Sequence, residues 1–505
     1  MRINILIGGK AGQGINKVSE IVSETLREIG YYTFNYRDYQ SLIRGGHNFN
    51  VLSISDKWIA SHESKLDGLV ALDEKTLTLH KGELKKEGFT ITFEGFKDLG
   101  MDLNVALAGA LIKILGVEKK VLLRKIKKEL DEDAAKAAEK GFESQKEKFN
   151  LKKLSNNIEI ISGSKAVADG AINSGIDLYI AYPMTPATGT MHELAAKQIK
   201  NKFVVFQSEN EIAVANSALG SSFTGAKTMV GTSGGGFDLM SEALSLQGQS
   251  EIPLVVYLAA RPGPGTGVPT YVSQADLDIA LRAGHGEFPR IVIAPGDPVE
   301  ATENTNQAFY LSEKFGALSI LLSDKHLAES EFSIDKKPTK SLKVEVERKL
   351  PGRHIVRASS YECDEKGNTS ESADLTKKNA EKRIEKYNKI KKETEKFQMI
   401  KIHGKKDSKN LIVGWGSTKG AILDAIQDLD AKFLQVIYMK PLSNKIKEEI
   451  NKAKNTILVE ANVTGQLGRL IREKTGVSIK NRILKYDGRP FRSDELKTQI
   501  QEIIK

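Results

Sequence analysis

The chain has 505 residues, of which 40% are hydrophobic, and carries a formal net charge of +10. That length suits about three domains with substantial cores, and no apolar run is long enough to span a bilayer as a helix. A single cysteine, Cys363, excludes an internal disulfide and any iron–sulfur cluster held by this chain alone, because such clusters take several thiolates.

Residues 1–145 read as a first α/β domain. A strand over residues 3–7 enters the loop Gly8-Gly9-Lys10-Ala11-Gly12-Gln13-Gly14. The apolar run is too short, and too soon broken by glycine, to be a secretory signal, and a cytoplasmic location is the default expectation. Gly9, Ala11 and Gly14 form a variant of a dinucleotide-binding turn. The second strand, 31–34, ends in Asn35-Tyr36-Arg37 without the acid that would hold a ribose, and Asp38 is a weak substitute. Such a turn also arises for close helix–strand packing. A lysine-rich helix follows over 118–128, and a second lies at 377–396. With no aromatic-interleaved basic patch beside them, these read as solvated helix faces rather than a nucleic-acid surface. A basic surface of this kind would steer an acidic carrier or a partner subunit. A charged stretch from about 131 leads into a linker at 146–157.

Residues 158–330 repeat one pattern. The run 176–181 meets Tyr182-Pro183-Met184-Thr185-Pro186, with Thr188 behind it, before a helical pattern over 191–198. Proline-locked turns of this kind present hydroxyls at a strand's carboxyl end. Strand 203–206 leads to Gln207-Ser208-Glu209-Asn210-Glu211 and a helix over 212–223. Strand 228–230 leads to Gly231-Thr232-Ser233-Gly234-Gly235-Gly236 and a helix through Leu246. Strand 253–258 leads to Arg261-Pro262-Gly263-Pro264-Gly265-Thr266-Gly267. Strand–helix alternation predicts a doubly wound parallel sheet, with right-handed crossovers gathering the four loops on one edge. That edge reads as a site for an anionic substrate and a cofactor. No phosphate-binding lysine accompanies the glycines, so they do not form a P-loop. Residues 331–405 are a charged connector with one long solvent-facing helix. Residues 406–505 form a last α/β domain, with strands at 411–413, 433–438 and 456–459.

The ordered set of these loops, followed by Ala283-Gly284-His285-Gly286-Glu287-Phe288-Pro289-Arg290, resembles the alpha subunit of 2-oxoacid:ferredoxin oxidoreductases. The likeness covers almost the whole chain, residues 1–150 resembling the family's gamma subunit fused ahead of alpha. It implies a thiamine pyrimidine-type sheet and a C-terminal transketolase-like domain. It also implies a CoA-dependent oxidative decarboxylation of a 2-oxoacid to acyl-CoA, with electrons passing to ferredoxin. By resemblance Glu209 is the acid at the aminopyrimidine ring, Arg261 clamps the substrate carboxylate, and Thr185 and Thr188 offer hydroxyls. Tyr182, Pro183, Thr232 and Ser233 then face the cofactor or a partner chain.

Each residue also has a plainer role. Glu209 could complement a helix dipole, Arg261 could brace its loop, and Thr188 could cap a helix. Ser41, Arg44, Gly45 and Gly46 look like a second family signature at a subunit contact, although Arg44 could equally be a surface ion-pair residue. Val459 to Asn462 and Thr464 to Gly468 resemble the family's third domain, expected to organise subunit contacts. Cys363 stands where related sequences often have histidine. A lone thiol is more often packed than catalytic, and His285 has no second ligand spaced for a metal. No Gly-Asp-Gly of the kind that holds a diphosphate through Mg²⁺ occurs, nor a Cys-x-x-Cys. The resemblance therefore implies a beta subunit carrying the diphosphate, Mg²⁺ and an iron–sulfur cluster, in a heterodimer or a dimer of heterodimers. A nicotinamide- or flavin-dependent dehydrogenase using the N-terminal loop, and a non-catalytic scaffold, are the alternatives. 2-Oxoglutarate is the favoured 2-oxoacid.

Overall fold

The computed structural model describes the chain except residues 43–44, 345–351, 353, 355, 357 and 358, so Arg44 lies outside the described residues. The chain divides into two compact units. The first comprises Met1–Ser162 with Ser330–Lys337 and Phe491–Thr498; the second comprises Gly163–Glu329, Pro338–Pro490 and Gln499–Lys505.

The first unit is built on β1 (Arg2–Ala11), β2 (Tyr32–Asp38), β3 (Gly45–Ser55), β4 (Leu66–Ala71), β5 (Leu84–Thr92) and β6 (Glu159–Ser162). A strand from far down the chain, Glu331–Ile334, lies between β2 and β6. Phe332 stacks edge-on against Phe34, and Ser333 Oγ accepts from the Thr33 amide at 2.8 Å. The sheet is mixed: β1 runs antiparallel to β3 and parallel to β4. Its core is aliphatic, from Ile3, Ile5 and Ile7 on β1 to Leu107 and Leu111 on the helix Leu103–Ile114. The charged stretch after residue 130 begins with a packed helix, Glu132–Glu143, whose Ala134, Ala135, Ala137 and Ala138 are buried. Alanines at helical spacing let that helix approach its neighbour closely, as the Gly109 and Gly141 contacts show.

The second unit holds two sheets. The larger contains β7 (Leu178–Ala181), β8 (Val204–Gln207), β9 (Thr228–Thr232), β10 (Leu254–Ala260), β11 (Arg290–Ile293) and β12 (Leu318–Asp324). The Glu331–Ile334 strand of the first unit is β13. The smaller sheet contains β14 (Ile400–Gly404), β15 (Asn410–Trp415), β16 (Lys432–Val436), β18 (Asn455–Glu460) and β19 (Asn481–Leu484), while β17 (Tyr438–Lys440) crosses to pair with β11. Strands β7 to β12 are mutually parallel in the order β8-β7-β9-β10-β12-β11, as the strand–helix alternation predicts. Every residue of β10 and β12 is buried, the pattern of a strand covered on both faces. β8, at the sheet's edge, leaves Val204 and Phe206 exposed. The connector's helix, Ala373–Thr394, buries only Ile390, Glu393 and Thr394 among its residues.

A buried ionic cluster ties the two sheets together. Glu300 begins the helix Pro298–Phe315 and accepts from Lys419 Nζ at 2.6 Å, Lys401 Nζ at 2.8 Å and Gln435 Nε2 at 2.6 Å. Burial pushes the Glu300 carboxyl up, but the two ammonium groups outweigh it and hold it below the ordinary carboxylate range.

Candidate active site

The carboxyl ends of β7, β8, β9 and β10 lie side by side, so the four loops singled out in the sequence share one edge of the parallel sheet. After β7 the chain turns through Tyr182, exposed, and Pro183, half-buried, and a cis Thr185–Pro186 bond. The following helix, Thr188–Asn201, has Ala187 at its N-cap and no side-chain cap bond. Neither Thr185 nor Thr188 therefore caps it, contrary to the plainer role considered for Thr188. From the end of β10, Arg261 Nη1 donates to the Thr185 carbonyl at 2.9 Å, joining two of the predicted residues directly. That is the only side-chain hydrogen bond of Arg261 among the described residues, so most of its donor fork is uncommitted. Burial pulls its pKa down, while the nearby carboxylates of Asp276 and Glu211 oppose that shift.

The acids after β8 divide into two roles. Asn210, in extended conformation, caps the helix Glu211–Phe223, its side chain accepting from the Ala213 amide at 2.8 Å. Glu209 thus stands before the cap, exposed on the shared edge, and the first-turn position belongs to Glu211. Glu211 is 3% exposed and its Oε1 has no hydrogen-bond partner among the described residues. Sequence spacing separated the two acids but did not disclose that the second is buried.

The glycine turn after β9 explains how a carboxylate reaches that depth. A Cβ on Gly236 would stand 2.2 Å from Thr232 Oγ1 and 2.7 Å from Glu211 Oε1. A Cβ on Gly234 would meet Asp276 Oδ2 at 2.6 Å. Glycine is required at both positions because side chains from neighbouring loops occupy the space. Thr232 and Ser233 are fully buried. Ser233 is the N-cap of Gly234–Leu239, yet its hydroxyl makes no cap bond and has no partner among the described residues. The helix expected to run on through Leu246 is two helices, Gly234–Leu239 and Ser241–Ser250.

Asp276 was not singled out in the sequence. It closes the long loop that starts at Arg261, just before the helix Leu277–Arg282. The signal available was an acid in the return of a proline- and glycine-rich loop that already carries an arginine. Its Oδ2 is buried without a partner among the described residues. Burial lifts the carboxyl to about 7, Asp238 adding to the lift and Arg261 opposing it. The smaller sheet pins this loop. The Gln274 amide donates to the Ala461 carbonyl at 2.8 Å, and Gln274 Oε1 accepts from the Ala461 amide at 2.9 Å. Gln274 Nε2 donates to the Trp415 carbonyl and Asn462 Nδ2 to the Gln274 carbonyl. Glu460 in turn accepts from Trp415 Nε1, Asn462 Nδ2 and the amides of Leu467 and Gly468. The motif from Val459 to Gly468 is thus a brace for the arginine loop.

Other residues lie elsewhere. His285 is exposed in the loop that enters β11, at the amino edge of the sheet, opposite the four loops. Arg290 holds that loop by donating to the carbonyls of Ala283, Gly284, Gly286 and Phe288. Cys363 is buried in a turn, its thiol donating to the Tyr361 carbonyl. In the first unit, Gly14 (φ 83°) starts the helix Ile15–Glu28, but the strand beside β1 on that side is antiparallel β3 rather than β2. The end of β2, where a ribose-binding acid would be needed, therefore does not flank the loop. That removes the structural premise of the nicotinamide alternative.

Comparison with known proteins follows the same lines. Residues 169–399 match the family described as pyruvate flavodoxin/ferredoxin oxidoreductase, thiamine diphosphate-binding, and residues 4–102 match pyruvate ferredoxin/flavodoxin oxidoreductase. The chain is 30% identical to the 2-oxoacid:ferredoxin oxidoreductase subunit alpha of Saccharolobus solfataricus, over 100% of this chain and 98% of the relative. It is 38% identical to the 2-oxoglutarate synthase subunit KorA of Archaeoglobus fulgidus, over 34% of this chain and 51% of the relative. A 2-oxoglutarate:ferredoxin oxidoreductase from Magnetococcus marinus has the same fold, with a TM-score of 0.90 and 24% identity over 100% of both chains.

Proposed function

The chain belongs to the 2-oxoacid:ferredoxin oxidoreductase alpha-subunit family, and from that premise we propose that it acts on 2-oxoglutarate within a complex with a beta subunit. The reaction is the CoA-dependent oxidative decarboxylation of the 2-oxoacid to its acyl-CoA and CO₂, with ferredoxin as electron acceptor. One observation carries the assignment of the site: Arg261 is anchored to Thr185 through a single bond, leaving a half-buried guanidinium open on the loop-bearing edge. The relatives named 2-oxoglutarate synthase support the choice of 2-oxoacid.

The residues present suit one half of thiamine diphosphate. Glu209 offers an exposed carboxylate, Ser233 a buried hydroxyl without a partner, and the glycine turn a backbone that a ring can approach. For the diphosphate and Mg²⁺ the sequence holds no Gly-Asp-Gly, and its single cysteine cannot hold an iron–sulfur cluster. Diphosphate, Mg²⁺ and an iron–sulfur cluster are therefore assigned to the beta subunit. When bound, thiamine diphosphate supplies the electron sink for decarboxylation.

This chain's residues do the rest. Glu209 exchanges a proton with the aminopyrimidine N1′, Arg261 takes the substrate's 1-carboxylate bidentately, and the Thr185 hydroxyl orients the keto oxygen. Thr188, Tyr182, Pro183, Thr232 and Ser233 shape the walls. The side chains around Glu209 are unusually apolar for a surface: Val204 is 55% exposed, Phe206 49% and Ile212 50%. A beta subunit covering them would exclude water from the Glu209 carboxylate.

The test is anaerobic co-expression with the candidate beta subunit, followed by viologen reduction with 2-oxoglutarate, pyruvate and 2-oxobutyrate, each with and without CoA and thiamine diphosphate. Turnover that requires both, and that Glu209→Gln or Arg261→Ala abolishes without loss of assembly, supports the assignment. A fully loaded complex inert toward all three 2-oxoacids overturns it.

A further inference from the structure

We propose that Asp276 is a positioning residue that tunes the hold on an anionic substrate by competing with the substrate's carboxylate for Arg261. The proposal rests on Arg261 being the carboxylate clamp. Three observations lead to it. Asp276 and Arg261 bound the same loop: Asp276 lies against Gly234, just past the end of β9, and Arg261 follows the neighbouring parallel strand β10, so the two stand at adjacent strand ends. Among the described residues Asp276 Oδ2, buried against Gly234, has no hydrogen-bond partner, an uncompensated polar atom beside the cofactor-facing turn. Arg261 feels the Asp276 and Glu211 carboxylates electrostatically but forms an ion pair with neither among the described residues.

A protonated Asp276 leaves the guanidinium charge available to an incoming carboxylate. An ionised Asp276 draws the guanidinium toward itself and repels the substrate. The charged groups acting on Asp276 are Asp238, on the helix after the glycine turn, and Arg261; Glu211 acts on Arg261 from the helix after β8. With its carboxyl lifted to about 7, Asp276 changes charge near neutrality.

The experiment measures kcat and KM for 2-oxoglutarate in the assembled, cofactor-loaded enzyme between about pH 6 and pH 9, for the wild type and for Asp276→Asn. In the wild type KM rises above neutrality, by at most about tenfold per pH unit, the limit for one linked proton. Asp276→Asn flattens the KM profile at its acid-limb value. Asp238→Asn, a surface substitution that removes the repelling charge and leaves Asp276 in place, moves the rise to lower pH. An alkaline rise in KM that persists in Asp276→Asn overturns the proposal while leaving the family function intact, and so does a wild-type KM that is flat with pH. A loaded enzyme without 2-oxoacid turnover, or one whose KM ignores Arg261→Ala, overturns the premise and the proposal together.

Discussion

Glu209 and Glu211 are two residues apart and differ in every physical respect. One is exposed before the helix cap; the other is enclosed by the glycine turn with an unpartnered oxygen. Glu209→Gln keeps the shape but removes the charge and the titratable group, so we expect turnover to fall by about 10²-fold or more with an unchanged thermal midpoint. Gly236→Ala should behave in the opposite way. Its Cβ would press on Thr232 and Glu211, and overpacking of that kind costs about 1–3 kcal/mol. Urea unfolding of the chain reads the loss directly, and Gly235→Ala, where nothing stands within 4 Å of the new Cβ, is the control.

At the scale of elements, the loop from Arg261 to Asp276 is held by tertiary contacts rather than by its own composition. It carries several glycines and prolines, yet its far end is bonded on both sides of Gln274 to β15 and the end of β18. Gln274→Ala strips partners from the buried Ala461 amide and the Trp415 carbonyl, a cost of about 1–3 kcal/mol. If the brace positions Arg261, the same substitution also raises KM for the 2-oxoacid more than it lowers kcat. Gln274→Glu, which keeps the acceptor for the Ala461 amide but sets a buried carboxylate oxygen against the Trp415 carbonyl, should not recover that stability.

At the scale of the second unit, cohesion between the two sheets depends on Glu300, Lys419, Asp297 and Lys401. Glu300 and Lys419 are 1% and 5% exposed at the side chain, so surface screening does not weaken their attraction as it would an exposed pair. Lys419→Met leaves Glu300 half-compensated in the interior and is expected to cost about 3 kcal/mol or more, read as a lowered urea midpoint. The pH dependence has a definite sign. The folded-state pKa of Glu300 lies below its unfolded value, so its stabilisation is present above the unfolded pKa and is lost as pH falls through the folded one. His326, buried and held down to about 3, acts in the same sense: the unfolded chain takes up its proton first, so stability falls from about pH 6.5 downward. Asp324, raised to about 6 by burial against the pull of Ser417 and the His326 and Leu327 amides, works the other way. Its contribution is present below its unfolded pKa and is lost as pH rises through 6. Thermal midpoints measured across acid pH should therefore fall on acidification, and His326→Gln should flatten the upper part of that fall.

The amino-acid sequence alone determined the strand–helix alternation of residues 158–330, the loops at the strand ends, and the family. Runs such as 203–206 and 253–258 are apolar and bounded by turn residues, which is local information. It determined Glu209, Arg261 and Thr185 as candidates through the order of motifs. Tertiary structure alone decided which strands are neighbours. Residues 331–334, expected to open a charged connector, supply a strand to the first unit's sheet, because pairing depends on contacts some three hundred residues apart that no window discloses. Asp276 came to light only through packing. Its burial beside Gly234, and hence its raised pKa, arises from a helix and a loop brought together by the sheet edge and a brace from β18. The role of the Val459–Gly468 motif was likewise invisible, since a brace is defined by the chain it grips.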